Sequence, residues 1–468
     1  MNEDSGEGVS AKQAISDLEV RRLAVGLLAD WERRPADLDG MIDRVLAGAG
    51  KAMNPVQAGL FTRLVNGAVC RRRRLDHFIS RLATRRQKLK PELQALLRLG
   101  LLELDDREVD RPDYAVVSES VKLAKGLVPG REGFVNAILR AFLRQGAEIL
   151  LPAGDDPESL AVRWSLPEWL VKSWLADYGR EKTLLLCRQA DRFPGTGFRI
   201  NRLKYTRKEF LARLESEGFE AGQLTPGSYA PQAFSCFQAA RLLRSKWFRD
   251  GCLTVQDEGA QLIAMLLAPQ PGELILDACA APGGKSTHLA ELSDDRARII
   301  ALDRDRERLK LVAESSRRLG LSAIETAACN LTRPLPEKLP QSYDAILIDA
   351  PCSGLGVIRR RADLRWRKTL KESRSLTTIQ LQILKNCSRY LKPGGRLVYA
   401  TCTTLRAENQ AVVAAFLDAC PDFRQAGKEE LEQLLPAPVV SREGFLETGL
   451  LLESSLDGFF AARLIRQS

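Results

Sequence analysis

The chain has 468 residues, 45% of them hydrophobic and 28% charged. That composition excludes a disordered chain, a collagen-like repeat and a coiled-coil rod, and at roughly 100–200 residues per domain the length calls for several domains. Lys and Arg total 70 against 60 Asp and Glu, a formal charge of +10 that favours a polyanionic partner; residues 51–100 and 351–400 each carry twelve Lys/Arg and two Asp/Glu.

Residues 1–15, MNEDSGEGVSAKQAI, lack the basic and apolar regions of a secretory signal and read as a disordered tail. No apolar run approaches the roughly 20 residues that span a bilayer. Ten scattered Cys and two His, His77 and His288, fit neither a disulfide framework nor a zinc site. The expectation is a soluble, cytoplasmic monomer without a metal.

From residue 16 to about 150, apolar residues recur at helical spacing, which predicts an all-α domain with a helix over 56–82, broken around Arg71 to Arg74, and another over 134–142. The stretch LPAGDDPESL at 151–160 reads as a linker. Residues 151–245 mix helix (167–178, 207–217) with a short strand (198–203), a small α/β module in which Phe198 and Arg199 suit either an RNA-facing sheet or plain packing. From 246 to 468, short apolar strands at 273–278, 298–302, 323–328, 343–348 and 396–400 alternate with helices, the pattern of a doubly wound parallel sheet.

The first of these strands runs into Cys279-Ala280-Ala281-Pro282-Gly283-Gly284-Lys285-Ser286. A glycine-rich loop between strand and helix lets bare backbone approach a ligand and turns helix N–H groups towards it. A Walker A loop needs a Gly five positions before Gly284, where Cys279 stands, and this disfavours an ATPase. Asp303 ends the second strand, where a carboxylate accepts the ribose hydroxyls of an adenosine cofactor; NAD and S-adenosylmethionine both fit. The fourth strand leads into Asp349-Ala350-Pro351-Cys352 and the fifth into Thr401-Cys402, so two thiols are expected at the carboxyl ends of adjacent strands. Arg359, Arg360, Arg361, Arg365 and Trp366 follow, cations and an aromatic plane that suit phosphates and unstacked bases. Arg71 to Arg74 with Arg81, Arg85, Arg86, Lys88 and Lys90 read as a second RNA grip or as solvated charge.

DACAAPGGKS at 277–286, DAPCSG at 349–354 and ATC at 400–402 together resemble motifs I, IV and VI of the RNA cytosine-C5 methyltransferases that use S-adenosylmethionine. Residues 255–261 resemble the helix before that family's first strand, and Asp457-Gly458-Phe459-Phe460 its closing antiparallel strand. Residues 119–125 and 133–140 resemble the fold of the antitermination factor NusB, and a NusB-like domain joined to this catalytic domain is the arrangement of a bacterial small-subunit rRNA methyltransferase. The resemblance covers nearly the whole chain. It implies a multidomain protein: an all-α NusB-like domain (16–150), a small α/β RNA-binding module (151–245), and an α/β Rossmann-like class I methyltransferase domain (246–468) with a seven-stranded sheet.

The implied reaction forms 5-methylcytosine in 16S rRNA. Cys402 would be the nucleophile that adds to cytosine C6, Cys352 would assist release, and Asp349 would hydrogen-bond the cytosine N3/N4 edge. Spacing alone does not choose between the thiols. Cys402 needs a nearby cation to ionise, and Lys285 is a candidate. Cofactor contact is carried onto Cys279, Ala280, Ala281, Pro282, Gly283, Gly284, Lys285, Asp303 and Asp349, and onto Asn330, where the family usually has an acid for the adenine amino group. A tRNA or other RNA substrate is one competing reading, and a non-catalytic RNA-binding ribosome-assembly factor is another.

Overall fold

The computed structural model of the chain describes residues 15–49, 53–83, 88–105, 111–192, 195–450 and 456–468. Of the expected tail only Ile15 falls within them; residues 1–14 lie outside, as do Arg85 and Arg86. Two compact units form, one of residues up to Leu175 with Arg361–Arg367, the other of Ala176–Arg360 with Lys368–Ser468. No described helix is long and apolar enough to cross a membrane.

The first unit is built on helices Asp17–Arg33, Leu38–Ala49, Pro55–Cys70, Arg72–Leu82, Pro91–Asp105, Asp113–Leu127 and Glu132–Gln145. Their starts follow local chemistry: the Ser16 hydroxyl caps the first, and Asn54 and Gln57 form a capping box ahead of Pro55. The helix expected over 56–82 breaks at Arg71. The basic run there is largely neutralised: Arg72 pairs with Glu32 at 2.6 Å, Arg74 with Asp105 at 2.8 Å and Arg73 with Glu168 at 3.6 Å. Trp31, Phe61, Phe78, Leu96 and Leu139 sit in one shared core. The linker is shorter than its composition suggests, because the Asp156 side chain caps a helix over Pro157–Arg163.

In the second unit the small sheet consists of β1 (Thr196–Ile200), β2 (Leu224–Pro226), β3 (Ala233–Cys236) and β4 (Leu253–Val255), in the order β2-β3-β1-β4 and antiparallel throughout. The large sheet contains β5 (Leu274–Ala278), β6 (Arg298–Asp303), β7 (Ile324–Ala328), β8 (Tyr343–Asp349), β9 (Leu391–Thr401), β10 (Phe423–Gln425), β11 (Leu446–Glu447) and β12 (Phe460–Arg466). Its order is β10-β12-β9-β8-β5-β6-β7, with β11 attached to β12. The pairs from β9 across to β7 are parallel, whereas β12 runs antiparallel to both β9 and β10. Strand β9 begins five residues earlier than the apolar run suggests: Tyr343 pairs with Leu391, Ala345 with Arg396, and residues 392–395 bulge out between them. The chain builds β5-β6-β7 outward and then returns to β8 beside β5, so the carboxyl ends of β5 and β8 flank the switch point where such sheets bind ligands.

Candidate active site

The loop after β5 is shaped by backbone no ordinary residue prefers. Gly283 has φ 103°, and a Cβ there would stand 2.9 Å from Val312 Cα, so the turn needs glycine twice over. Cys279 also adopts a positive φ, 60°. Asp303, at the end of β6, braces this loop: one carboxylate oxygen accepts the Ala281 N–H at 3.2 Å and the other the Asp305 N–H at 3.0 Å. Each oxygen keeps lone-pair capacity for a ligand hydroxyl. Beneath the loop, Asp277 is fully buried; one oxygen accepts from Ser286 Oγ at 2.5 Å and the other has no hydrogen-bond partner among the described residues. Burial pushes its carboxyl up to about 7. The Asp303 carboxylate at the end of β6 suits the ribose of S-adenosylmethionine.

Lys285 is the second residue of the helix Gly284–Leu292 and places Nζ 2.6 Å from Asp349 at the end of β8. Burial pulls the ammonium down, but Asp349, then Cys402 and Asp277, outweigh it and leave Lys285 above its ordinary range. Cys352 and Cys402 meet with their sulfurs 3.3 Å apart, and the Cys402 N–H points at the Cys352 sulfur at 3.4 Å. The structure thus gathers Lys285, Asp349, Cys352 and Cys402 at the ends of β5, β8 and β9. Gly356 locks the two thiol loops together: its N–H donates to Cys402 O at 2.9 Å, its carbonyl accepts from Gly458 N at 2.8 Å, and a Cβ would fall 1.8 Å from Gly458 O.

The expected RNA-facing side chains lie elsewhere. Arg359 and Arg360 donate to Asp457 at 2.6 and 2.5 Å, and Arg360 also reaches Asp257 at 2.9 Å. These partners take up the charge that phosphates were expected to meet. Arg365 is 0% exposed within the helical unit, donating to the carbonyls of Cys70 and Ser165 at 3.2 Å. Trp366 donates to Val69 O at 2.6 Å, and the Arg72 guanidinium lies 5.6 Å from the Trp366 and Trp31 rings. Of the five, Arg361 alone is exposed. Arg199 is also 0% exposed and forms a double ion pair with Glu291 at 2.7 and 3.1 Å, while donating to Gly284 O at 2.8 Å. Packing is therefore its role, with Phe198 buried beside it in β1. Asn330 is exposed, and its amide oxygen already accepts from the Thr332 N–H and hydroxyl at 3.1 and 2.9 Å. That oxygen has less to offer an adenine amino group than expected.

Sequence reasoning passed over Glu408 and Asn409. Asn409 accepts from Thr401 Oγ1 at 2.5 Å and donates to Thr403 O at 2.9 Å, holding the chain on both sides of Cys402. The available signal was a Glu-Asn pair, six and seven residues past the cysteine and directly ahead of the apolar helix Gln410–Ala419.

Three family models match in succession: the NusB family over residues 18–144, the ferredoxin-like domain of RsmF/B-like methyltransferases over 166–239, and 16S rRNA methyltransferase RsmB/F over 264–465. The small module is accordingly ferredoxin-like. A probable ribosomal RNA small subunit methyltransferase B of Bacillus subtilis is 36% identical over 94% of this chain and 97% of its own. The ribosomal RNA small subunit methyltransferase B of Vibrio cholerae is 33% identical over 92% and 94%. The crystal structure of PH0851 shares the fold across 97% of this chain and 99% of its own, with a TM-score of 0.76 at 23% identity. With helical domain, module and catalytic sheet each accounted for, the chain belongs to the RsmB/F family of 16S rRNA methyltransferases, enzymes that depend on S-adenosylmethionine.

Proposed function

We propose that the enzyme methylates C5 of a cytosine in 16S rRNA through a covalent adduct with Cys402. The observation that carries this reading is the pair of thiols 3.3 Å apart at adjacent strand ends, next to the Lys285–Asp349 ion pair. Cytosine C5 is a poor nucleophile, and a binding-only protein has no need of two thiols there. S-adenosylmethionine, when bound, supplies an electrophilic methyl group. The Cys279–Lys285 loop and Asp303 would hold it at the end of β5.

Addition of the Cys402 thiolate to C6 forms an S–C bond and makes C5 enamine-like, able to take the methyl group. A base then accepts the C5 proton, the C5–H electron pair restores the C5=C6 bond, and the Cys402 thiolate leaves. Cys352 assists that release. Asp349, held by Lys285, accepts a hydrogen bond from the N4 amino group of the base and stabilises the proton that N3 takes up from solvent as C6 is attacked and gives back after methyl transfer. The base must leave its stack to reach Cys402, so an exposed or loop nucleotide is the substrate. Arg361 remains the cation offered to the RNA backbone, and the enzyme acts as a cytoplasmic monomer.

Transfer of labelled methyl groups to unmethylated 16S rRNA, with tRNA in parallel, tests this for wild type and Cys402→Ala. The expected result is 5-methylcytosine in rRNA only, lost in the variant. Label in tRNA alone would keep the chemistry and reject the substrate; no label in either would favour an assembly factor.

A further inference from the structure

Glu408 is 0% exposed and, among the described residues, has no Lys or Arg within ion-pair distance. Neutral donors hold it instead. One oxygen accepts from the Ser353 N–H and Gln380 Nε2, both at 2.9 Å, and the other from Ser373 Oγ at 2.8 Å. Gln380 Nε2 also donates to Pro351 O at 2.9 Å, so the residues on both sides of Cys352 are tied to this one carboxylate. Tyr399 donates to the Glu408 backbone carbonyl at 2.6 Å.

The contact between two thiols is symmetric in itself, since a shared hydrogen bond and mutual repulsion act on both. The charges outside the pair break the symmetry. Cys402 lies within the field of Lys285, and the carboxylate of Glu408, bonded to the Ser353 N–H, bears on Cys352; Asp349 is matched by Lys285, and burial keeps the Tyr399 phenol neutral. The Cys352 thiol is pushed well above its ordinary value by its bond to Cys402, by desolvation, by the Cys402 charge and by Glu408, and the Cys402 N–H opposes this.

We propose that Glu408 is a positioning residue of the thiol pair: it fixes the Cys352 loop at bonding distance from Cys402 and holds Cys352 as the thiol, so that Cys402 carries the negative charge. This rests on the methyltransferase reading above and adds what distinguishes the two sulfurs.

The test is the pH dependence of iodoacetamide alkylation at each cysteine in the full chain, resolved by peptide mass spectrometry. In the wild type Cys402 should react at lower pH than Cys352. In Glu408→Gln, alkylation of Cys352 at fixed pH should rise about tenfold, the equivalent of one pH unit in its midpoint, and Glu408→Asp should restore most of the wild-type profile. An unchanged Cys352 midpoint in a folded Glu408→Gln protein, or a wild type in which Cys352 reacts first, would overturn the proposal. If Glu408→Gln does not fold, Ser373→Ala removes one donor from the carboxylate and should slow Cys352 alkylation, and an unchanged rate there rejects the idea equally. Alkylation needs neither RNA nor cofactor. Expected thiol profiles with no methyl transfer would therefore unseat the enzymatic reading alone, and the reverse result would unseat the role of Glu408 alone.

Discussion

Cys352 and Arg359 stand seven residues apart on the segment leaving β8, and they meet opposite surroundings. The thiol is set against a second thiol; the guanidinium is taken up by a buried carboxylate, as is its neighbour Arg360. The partners decide the outcome, and they arrive from far away in the chain: Asp457 lies 98 residues beyond Arg359, and Asp257 lies 103 before Arg360. A run of cations describes composition, and whether it faces a phosphate depends on acids the run does not contain. A position at the carboxyl end of a central parallel strand is set by the topology of the sheet, and so it transfers from sequence to structure with its chemistry intact.

The strongest test of the thiol side of this contrast is to remove each sulfur. Cys402→Ala should lower methyl transfer by orders of magnitude, whereas Cys352→Ala should accumulate an RNA–protein adduct that survives a denaturing gel; the reverse phenotypes would exchange the two roles. On the cation side, Asp457→Ala leaves two guanidinium groups without their shared carboxylate and should cost about 3–5 kcal/mol in chemical denaturation, the scale of breaking a buried ion pair. A loss in the range of an exposed pair would return Arg359 and Arg360 to the surface.

Gly356→Ala should cost about 1–3 kcal/mol, as overpacking does, and reduce methyl transfer with it, because the added methyl meets Gly458 O and Cys402 O. Asp277 sharpens the comparison through pH. Its folded-state value of about 7 lies above its ordinary 3.8, so its favourable contribution is complete below about 3.8 and is lost as pH rises through about 7. Asp277→Asn should accordingly flatten the decline in stability across that window, read as melting temperature against pH. The smallest effect is expected at Arg361: its replacement by Ala should reduce the slope of log affinity for RNA against log salt by up to about 0.7–0.9, while replacing Arg359 should leave that slope unchanged.

Much of the catalytic unit was legible because its signals are local. Apolar runs bounded by turns located β5, β6 and β8 to within a residue or two, and the glycine loop, Lys285, Asp349 and both cysteines were found where strand ends had to be. The helical unit was legible for the same reason, down to the break at Arg71. Other features resisted because they depend on distant partners. Arg199 looks like a surface cation until Glu291, 92 residues on, is placed against it. Arg365 looks like one until the Cys70 and Ser165 carbonyls are. The early start of β9 was hidden by Lys392-Pro393-Gly394-Gly395, which reads as a turn and is in fact a bulge within a continuing strand.

The antiparallel strand β12 lies along β9 from Arg396 to Thr401, so the pairing stops one residue short of Cys402. During synthesis the strand that leads into Cys402 is made some sixty residues before its outer neighbour, and until residues 460–466 emerge it has an open edge of unpaired backbone. The loop that holds Cys402 therefore acquires its final setting only after residues 460–466 have been translated, some sixty residues behind it.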